Sequence, residues 1–212
     1  MTKLINVEYI NQSGKYPTGC ETISTIMCLH YHKINITPDE FIDKYLDKGD
    51  IIKKDGQIFA PNPFDKFVGS PYDQNSFGCY EPVIEKALNK LISDKQLLNF
   101  EIKNLNNIPI NTIIKDYIDK DIPVIFWATI NLKESRYTRI WTVPDTGEKY
   151  QWKAQEHCML LVGYDEEKNG LYFNDPFNNN GVIMYDKTLV LKRHEEQFSN
   201  AIAIIKKNQK YY

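Results

Sequence analysis

The sequence has few cysteines, and they lack the spacing of a disulfide scaffold or a metal site. The four cysteines, at positions 20, 28, 79 and 158 of 212 residues, include no CxxC pair. The four histidines do not supply the missing ligands, because His30 and His32 face different ways on a predicted helix. His157 and Cys158 likewise alternate across a predicted strand. We therefore expect free thiols, no metal and no cofactor.

The sequence also lacks a long apolar run, an excess of one charge and a phosphate-binding loop. No stretch approaches the roughly 20 apolar residues that a membrane span needs. Lys and Arg (26) nearly balance Asp and Glu (28), so no basic surface for nucleic acid is predicted. Neither GxxxxGK[ST] nor GxGxxG occurs. We expect a soluble chain with no membrane span and no nucleic-acid partner, either cytoplasmic or exported after removal of a leader.

Helical patterns fill the first half of the chain, and strand patterns fill the second. Apolar residues recur at helical spacing in four segments, which are residues 18–32, 37–46, 79–92 and 111–120. After Pro123 the segments are short, β-branched and aromatic and are separated by turn signals, with one more helix near residues 189–198. This order predicts an α+β fold in one domain, with a helical lobe over about residues 1–121 packed on an antiparallel sheet over about residues 122–212.

Residues 48–78, between the second and third predicted helices, have no clear period. A long irregular segment inside a compact domain is more often functional than a linker. The aromatic stretch FDKFVGSPYDQNSFGCY and the later hairpin TRIWTVPDTGEKYQW are candidate walls of a substrate cleft. Aromatic residues at alternate positions also stabilise cores and hairpins, so both interpretations stay open.

Cys20 follows a Thr-Gly pair and precedes an apolar helix, in the stretch YPTGCETISTIMCLH. Thr18 to Glu21 match the S/T-x-x-E capping box, which would place Cys20 in the first helical turn. Backbone N–H groups and the positive end of the helix dipole favour a thiolate there and can hold an oxyanion. Glu21 opposes the thiolate unless its charge is used at the cap, so a cationic partner such as histidine is needed. The alternative is that Cys20 is a small buried apolar residue.

Cys79 also follows a glycine near a helix start, in the stretch SFGCYEP. The proline of this stretch fits the first helical turn, which leaves Cys79 ahead of the helix and outside its cap. Cys28 falls within the first helix and Cys158 within an apolar strand, so both are interpreted as packing residues. Cys20 is therefore favoured as a nucleophile, with Cys79 as the alternative.

His157 begins the apolar strand EHCMLLVGY, so its imidazole can stand at the end of that strand. If this strand and GLYFNDP form a hairpin connected by residues 164–168, His157 lies opposite Asp175. A carboxylate in that position would fix the tautomer of the imidazole and stabilise its charged form. The alternatives are that His157 is an ordinary strand-edge histidine and that Asp175 only forms an Asp-Pro turn.

Three motifs, YINQSGKYPTGCE, EHCMLLVGYDEE and YFNDP, resemble those of bacterial papain-like cysteine peptidases of the bacteriocin-processing, double-glycine peptidase-like family, in the same order. The resemblance spans most of the chain and implies a papain-like fold with Cys20 as nucleophile and His157 as general base and acid. It also implies Asp175 as orienting residue and Gln12 as a side-chain donor to the oxyanion hole. Gln12 could otherwise be a loop amide. The sequence has no transporter or ATPase segment, which the bacteriocin-exporting members fuse to this domain.

The sequence therefore predicts a cysteine peptidase that acts on a peptide or protein through a Cys-His-Asp triad and a covalent acyl-enzyme. A cell-wall amidase or an acyltransferase would use the same groups on a different acyl donor. A non-catalytic peptide-binding module would keep the fold with an inactive site.

Overall fold

A seven-stranded sheet forms the centre of the structure, a computed structural model that describes residues 1–207. In chain order the elements are β1 (Thr2–Leu4), α1 (Cys20–Tyr31), α2 (Pro38–Lys44), β2 (Lys48–Gly49), β3 (Ile52–Lys54), β4 (Gln57–Phe59), β5 (Phe67–Val68), α3 (Glu81–Asp94), β6 (Phe100–Asn104), α4 (Ile110–Asp116), β7 (Val124–Thr129), β8 (Tyr137–Thr142), β9 (Lys149–Lys153), β10 (Glu156–Asp165), β11 (Gly170–Asp175), β12 (Gly181–Asp186), α5 (Lys187–Glu196) and β13 (Ala201–Lys206). The predicted α+β class is confirmed.

The central sheet has the strand order β12-β11-β10-β7-β13-β6, and β1 pairs with β10 beside this path. All of its neighbouring strands are antiparallel. Two of the strands, β1 and β6, come from the half of the chain that was expected to be helical. The sheet therefore does not follow the expected division near residue 121.

Strands β7 and β10 are buried along their whole length. Successive side chains of a strand point to opposite faces, so complete burial means that both faces of the sheet are covered here. Helix α1 packs against β10, and helix α5 packs against β7. The near-continuous apolar runs in these strands follow from this two-sided burial. The arrangement holds the start of β10 beside the start of α1.

The five helices lie where they are predicted. The predicted cap of α1, however, is wrong. Helix α1 begins at Cys20, and Gly19 is its N-cap without a side-chain hydrogen bond. The hydroxyl of Thr18 instead donates to the carbonyls of Ser70 and Asp73, both at 3.1 Å. A tertiary contact with the irregular segment thus replaces the local capping box.

The irregular segment, residues 48–78, contains four short strands that the spacing of its apolar residues does not predict. Strand β2 pairs with β5, while β3 and β4 join β8 and β9 in a second, four-stranded sheet. The two predicted cleft walls meet through contacts between their aromatic rings. The ring of Phe77 lies 5.1 Å from that of Trp141 and 5.4 Å from that of Trp152, between ring centroids. These aromatics pack against one another, as in the core interpretation, and some of them also line a cavity.

A buried histidine on α5 gives the fold a defined sensitivity to acid. His194 stacks on Phe126 at 3.9 Å between ring centroids, and its Nδ1 donates to the carbonyl of Trp127 at 2.7 Å. Burial lowers the pKa of His194 from 6.5 to about 4. The stability that depends on the neutral ring is present above pH 6.5 and is lost as the pH falls through about 4.

We expect the contribution of His194 to the free energy of unfolding to fall by about 3 kcal/mol as the pH decreases from 6.5 to about 4, since each pKa unit corresponds to about 1.4 kcal/mol. Burial also lowers the pKa of His32 to about 4, so two groups contribute. Urea unfolding of native protein and of His194→Gln at a series of pH values measures the effect. The variant should lose less stability on acidification than native protein. An equally steep pH dependence in a folded His194→Gln would contradict this assignment.

Candidate active site

Cys20 stands at the first position of α1 on the wall of a cavity of about 170 Å³. Its side chain is largely buried, with 6% of the residue exposed. Gly19 is required before it for steric reasons, because a Cβ atom at that position would lie 2.8 Å from the Cβ of Tyr16. Gln12 and His157 line the same cavity. The structure thus brings together residues from two distant motifs, with the predicted nucleophile at a helix N-terminus.

His157 and Asp175 form a buried pair behind this cavity. Nε2 of His157 lies 2.7 Å from Oδ1 of Asp175, and the two side chains are 1% and 0% exposed. Three further donors reach the carboxylate: the Phe177 backbone N–H at 3.0 Å, the Asn180 side-chain amide at 2.8 Å and the Tyr185 hydroxyl at 2.9 Å. Burial alone would raise the pKa of Asp175, but His157 and these hydrogen bonds outweigh it and hold that pKa below its usual value. An ionised Asp175 fixes the imidazole ring.

The predicted contact between His157 and Asp175 is present, but the predicted register is wrong. Leu160 pairs with Asn174, and an irregularity between Leu161 and Gly163 shifts the rest of the β10–β11 ladder by one residue. His157 therefore reaches Asp175 beyond the last paired residues and not from directly opposite. Gly163 at this irregularity is a sequence signal that the predicted register did not use, since an isolated glycine inside a strand pattern often marks a bulge.

Gln12 lies in the loop before α1 and is 3% exposed. Its side-chain amide donates to the carbonyl of Tyr16 at 3.4 Å and to that of Pro17 at 3.2 Å. Its backbone N–H donates to the carbonyl of Pro176, next to Asp175, at 3.0 Å. The carboxamide is thus held on the cavity wall, with its donors directed to the loop that leads into Cys20.

Glu21 and Glu156 are site residues whose burial sequence reasoning missed. The thiol of Cys20 donates to Oε2 of Glu21 at 3.3 Å, and the backbone N–H of Cys79 donates to Oε1 of Glu21 at 2.6 Å. Gly78 lies against both acids, since a Cβ atom there would be 2.6 Å from a Glu21 oxygen and 2.8 Å from a Glu156 oxygen. Glu21 was recognised as a neighbour of Cys20, whereas Glu156 gave no signal beyond its place before His157.

These acids change the expected state of the thiol. Burial raises the pKa of Cys20 well above its usual value, and the neighbouring acids Glu21 and Glu156 oppose its ionisation further. These acids therefore oppose the thiolate that the helix N-terminus is expected to favour. Glu21 does not serve as a cap, so its charge remains beside the sulfur.

The other three cysteines are fully buried, and all four are free thiols. Cys79 lies just before α3, with a proline in the first turn as predicted, and it does not line the cavity that contains Cys20. Burial raises the pKa of Cys79 well above its usual value. Its backbone N–H takes part in the site through the hydrogen bond to Glu21, and its thiol also faces that carboxyl group.

Ligand atoms of Cys20, Glu21 and Glu156 lie within 4.8 Å of one another, which is close enough for a metal ion. Proximity is not sufficient for a metal centre here, because Glu21 already accepts two hydrogen bonds and Cys20 is the donor of one of them. We therefore describe the group as two acids beside a thiol.

The cavity is completed by side chains from both predicted cleft walls. Ser76 and Phe77 come from the irregular segment, and Trp152 comes from strand β9. Thr18 and Ile130 close the remaining sides. The site is thus a narrow cleft between the start of α1, the start of β10 and an aromatic wall.

Comparison with known families places this geometry in context. The sequence model of the protein family described as "Peptidase_C39 like family" matches residues 4–203. The chain belongs to this peptidase C39-like family. Its structure is similar to the crystal structure of a protein from Bacillus anthracis described as a C39-like peptidase, with a TM-score of 0.81, 23% sequence identity, and coverage of 99% of this chain and 100% of that one. At this identity the likeness shows the fold. No curated protein gave a match.

The family membership and the papain-like α+β fold predicted from the motifs are confirmed, and both support a peptidase-like function. Within residues 1–207 no helix has the length and apolar character of a transmembrane segment.

Proposed function

We propose that this C39-like protein is a cysteine peptidase that hydrolyses peptide bonds through Cys20, His157 and Asp175. The observation that carries the proposal is the buried 2.7 Å contact between His157 and Asp175, with the same histidine lining the cavity that contains Cys20. A peptide or protein is the substrate class that the family suggests.

In this mechanism the imidazole of His157 takes the proton of the Cys20 thiol as the sulfur attacks the substrate carbonyl. A C–S bond forms, and the negative charge moves to the carbonyl oxygen. The backbone N–H of Cys20 at the start of α1 and the side-chain amide of Gln12 stabilise this oxyanion. Asp175 stabilises the imidazolium that has formed.

The tetrahedral intermediate then collapses, and His157 gives its proton to the leaving amine as the C–N bond breaks. This leaves an acyl-enzyme on Cys20. A water molecule, deprotonated by His157, attacks the thioester and releases the carboxylic acid and the thiol. Each proton that leaves one group is thus received by another.

The test is cleavage of a proteome-derived peptide library by native protein, Cys20→Ala and Cys79→Ala, with new N-termini identified by mass spectrometry. Native protein should cleave a defined subset of peptides, Cys20→Ala should cleave none, and Cys79→Ala should retain most of the activity. The matched alanine variant separates the two Gly-Cys candidates. Complete loss in a folded Cys79→Ala would show that Cys79 is the nucleophile.

Intact-mass analysis of native protein mixed with the library gives an independent readout. A mass increase on Cys20 that disappears with time indicates an acyl-enzyme that turns over. Transfer of the acyl group from Cys20 to an added amine in place of water would point to an acyltransferase, and cleavage of cell-wall peptides without cleavage of the library would point to an amidase. Neither cleavage nor acylation would indicate a binding module.

A further inference from the structure

We propose that Glu21 and Glu156 are positioning residues that keep Cys20 as a neutral thiol in the resting protein, by holding one carboxylate and one carboxylic acid beside it. Proton transfer to His157 then accompanies attack on the substrate and does not precede it. The inference rests on the proposed role of Cys20 as nucleophile, and its test measures thiol reactivity, so it can fail separately from the peptidase proposal.

The hydrogen bonds identify Glu21 as the carboxylate of the pair. Its two oxygens each accept a hydrogen bond, one from the Cys20 thiol at 3.3 Å and one from the Cys79 backbone N–H at 2.6 Å. The Cys79 backbone N–H can only donate, so at least Oε1 of Glu21 is an acceptor, and the thiol contact gives Oε2 a second donor. Glu21 is 0% exposed, so this charge sits in a region of low dielectric next to the sulfur.

Glu156 has the surroundings of a protonated acid. Its Oε1 is buried without a hydrogen-bond partner, and the residue is 6% exposed. A second ionised carboxylate would leave that oxygen charged and unpaired, which is far more costly than an acid that carries its own donor. Within residues 1–207 no Lys or Arg forms an ion pair with Glu21 or Glu156.

Among the titratable groups that face Glu21 and Glu156, at most one can carry a positive charge. From α1, β10, β9, β11 and the start of α3, the titratable neighbours are Cys20, Cys79, Tyr80, Tyr150, His157, Cys158 and, behind His157, Asp175. Only His157 among them can be cationic. Burial raises the pKa of Glu21 and, more strongly, that of Glu156, in agreement with a pair that retains a proton.

The discriminating variant is Glu21→Gln, which keeps the shape of the side chain. The amide oxygen can still accept from the Cys79 N–H, while the amide N–H₂ faces the sulfur and can donate to a thiolate. We expect iodoacetamide to label Cys20 of this variant at pH 7 at least about 10-fold faster than in native protein, because a charge that disfavours the thiolate is replaced by a donor. Labelling of each cysteine is followed by peptide mass spectrometry.

Glu156→Gln tests where the proton lies. If Glu156 is already neutral at pH 7, this variant should gain labelling rate mainly at alkaline pH, where native Glu156 would ionise. Glu81→Gln is the matched control: Glu81 is another fully buried glutamate at the start of a helix, and its carboxylate accepts from Asn106 and not from the thiol. It should label like native protein. A residue with a merely structural role would slow labelling or leave it unchanged, and would not accelerate it.

Slower or unchanged labelling of a folded Glu21→Gln, judged by its circular dichroism and its melting temperature, would overturn the proposal. The pH profile of native protein gives a second measurement that needs no variant. Its labelling rate should keep rising above about pH 8.5, the usual pKa of a free thiol. A rate that reaches its plateau near pH 6 would show a resting thiolate and would reject the inference. If native protein cleaves no peptide while native protein and Glu21→Gln label as expected, the result counts against the peptidase proposal alone.

Discussion

Replacement of His157 by alanine should lower kcat by about 10⁴-fold or more, because one side chain supplies both the general base and the general acid. No other imidazole lines the cavity that contains Cys20 in the described part of the chain. The change also leaves Asp175 buried at 0% exposure without its histidine partner, so the variant must be shown to be folded. Turnover is measured on a peptide from the library experiment, at saturating substrate.

Asp175→Asn should lower kcat less, and we expect it to retain at least about ten times the rate of His157→Ala, as single losses within a catalytic triad indicate. Oδ1 of Asp175 accepts from both His157 and the Phe177 backbone N–H, and an asparagine oxygen in the same place can accept from both. The ring then remains oriented, while its charged form loses the stabilising carboxylate. The activity of Asp175→Asn should consequently show a different pH dependence from that of native protein.

His30→Ala is the matched control for loss of a histidine. His30 lies on α1 and binds the carbonyl of Ile36 at 2.8 Å, away from the cavity. It should retain turnover. A fully active, folded His157→Ala would reject the hydrolase mechanism itself, and equal rates for His157→Ala and Asp175→Asn would show that the carboxylate does more than orient and stabilise the ring.

The parts of the fold that could be predicted are those with a strong local pattern. Helices α1 to α4 were readable because their apolar residues recur at helical spacing or because a proline marks the first turn. Strands β7 and β10 were readable because two-sided burial produces long runs of apolar residues. Strands β2 to β5 were not predicted, since each spans only two or three residues, although the Asp55-Gly56 turn that joins β3 to β4 is a local hairpin signal.

In the candidate site, too, the residues that belong to local motifs could be predicted, and the features that depend on tertiary contacts could not. Cys20, His157, Asp175 and Gln12 stand in three motifs whose order could be recognised, and the structure brings all four to one cavity or directly behind it. The charge environment could not be read, because it depends on tertiary contacts: the backbone N–H of Cys79 determines where Glu21 points. The helix N-terminus alone was therefore not sufficient to predict the thiol state, because the buried acids beside Cys20 raise its pKa, whereas the position of Cys20 in the first helical turn was predicted correctly.

Gln12→Ala should lower kcat by about 10²-fold, the effect of losing one oxyanion donor of ordinary strength. The two hydrogen bonds that hold its amide at rest are long, at 3.2 and 3.4 Å, so a small rotation can redirect an N–H to a developing oxyanion. An oxyanion exists only in the transition state and the intermediate, so KM and the labelling of Cys20 should change little.

A structural role for Gln12 makes a different prediction. If its amide only braces the turn at Tyr16 and Pro17, the alanine variant should displace Cys20 and alter labelling and stability together with kcat. Gln12→Glu separates the two roles further, because it keeps the side-chain length, removes the donor and adds a charge that repels the oxyanion; its kcat should fall at least as far as that of Gln12→Ala. Gln151→Ala, at an exposed position on β9, is the control and should behave as native protein. A folded Gln12→Ala with normal labelling and undiminished kcat would remove Gln12 from the site and leave the backbone N–H of Cys20 as the donor at the start of α1.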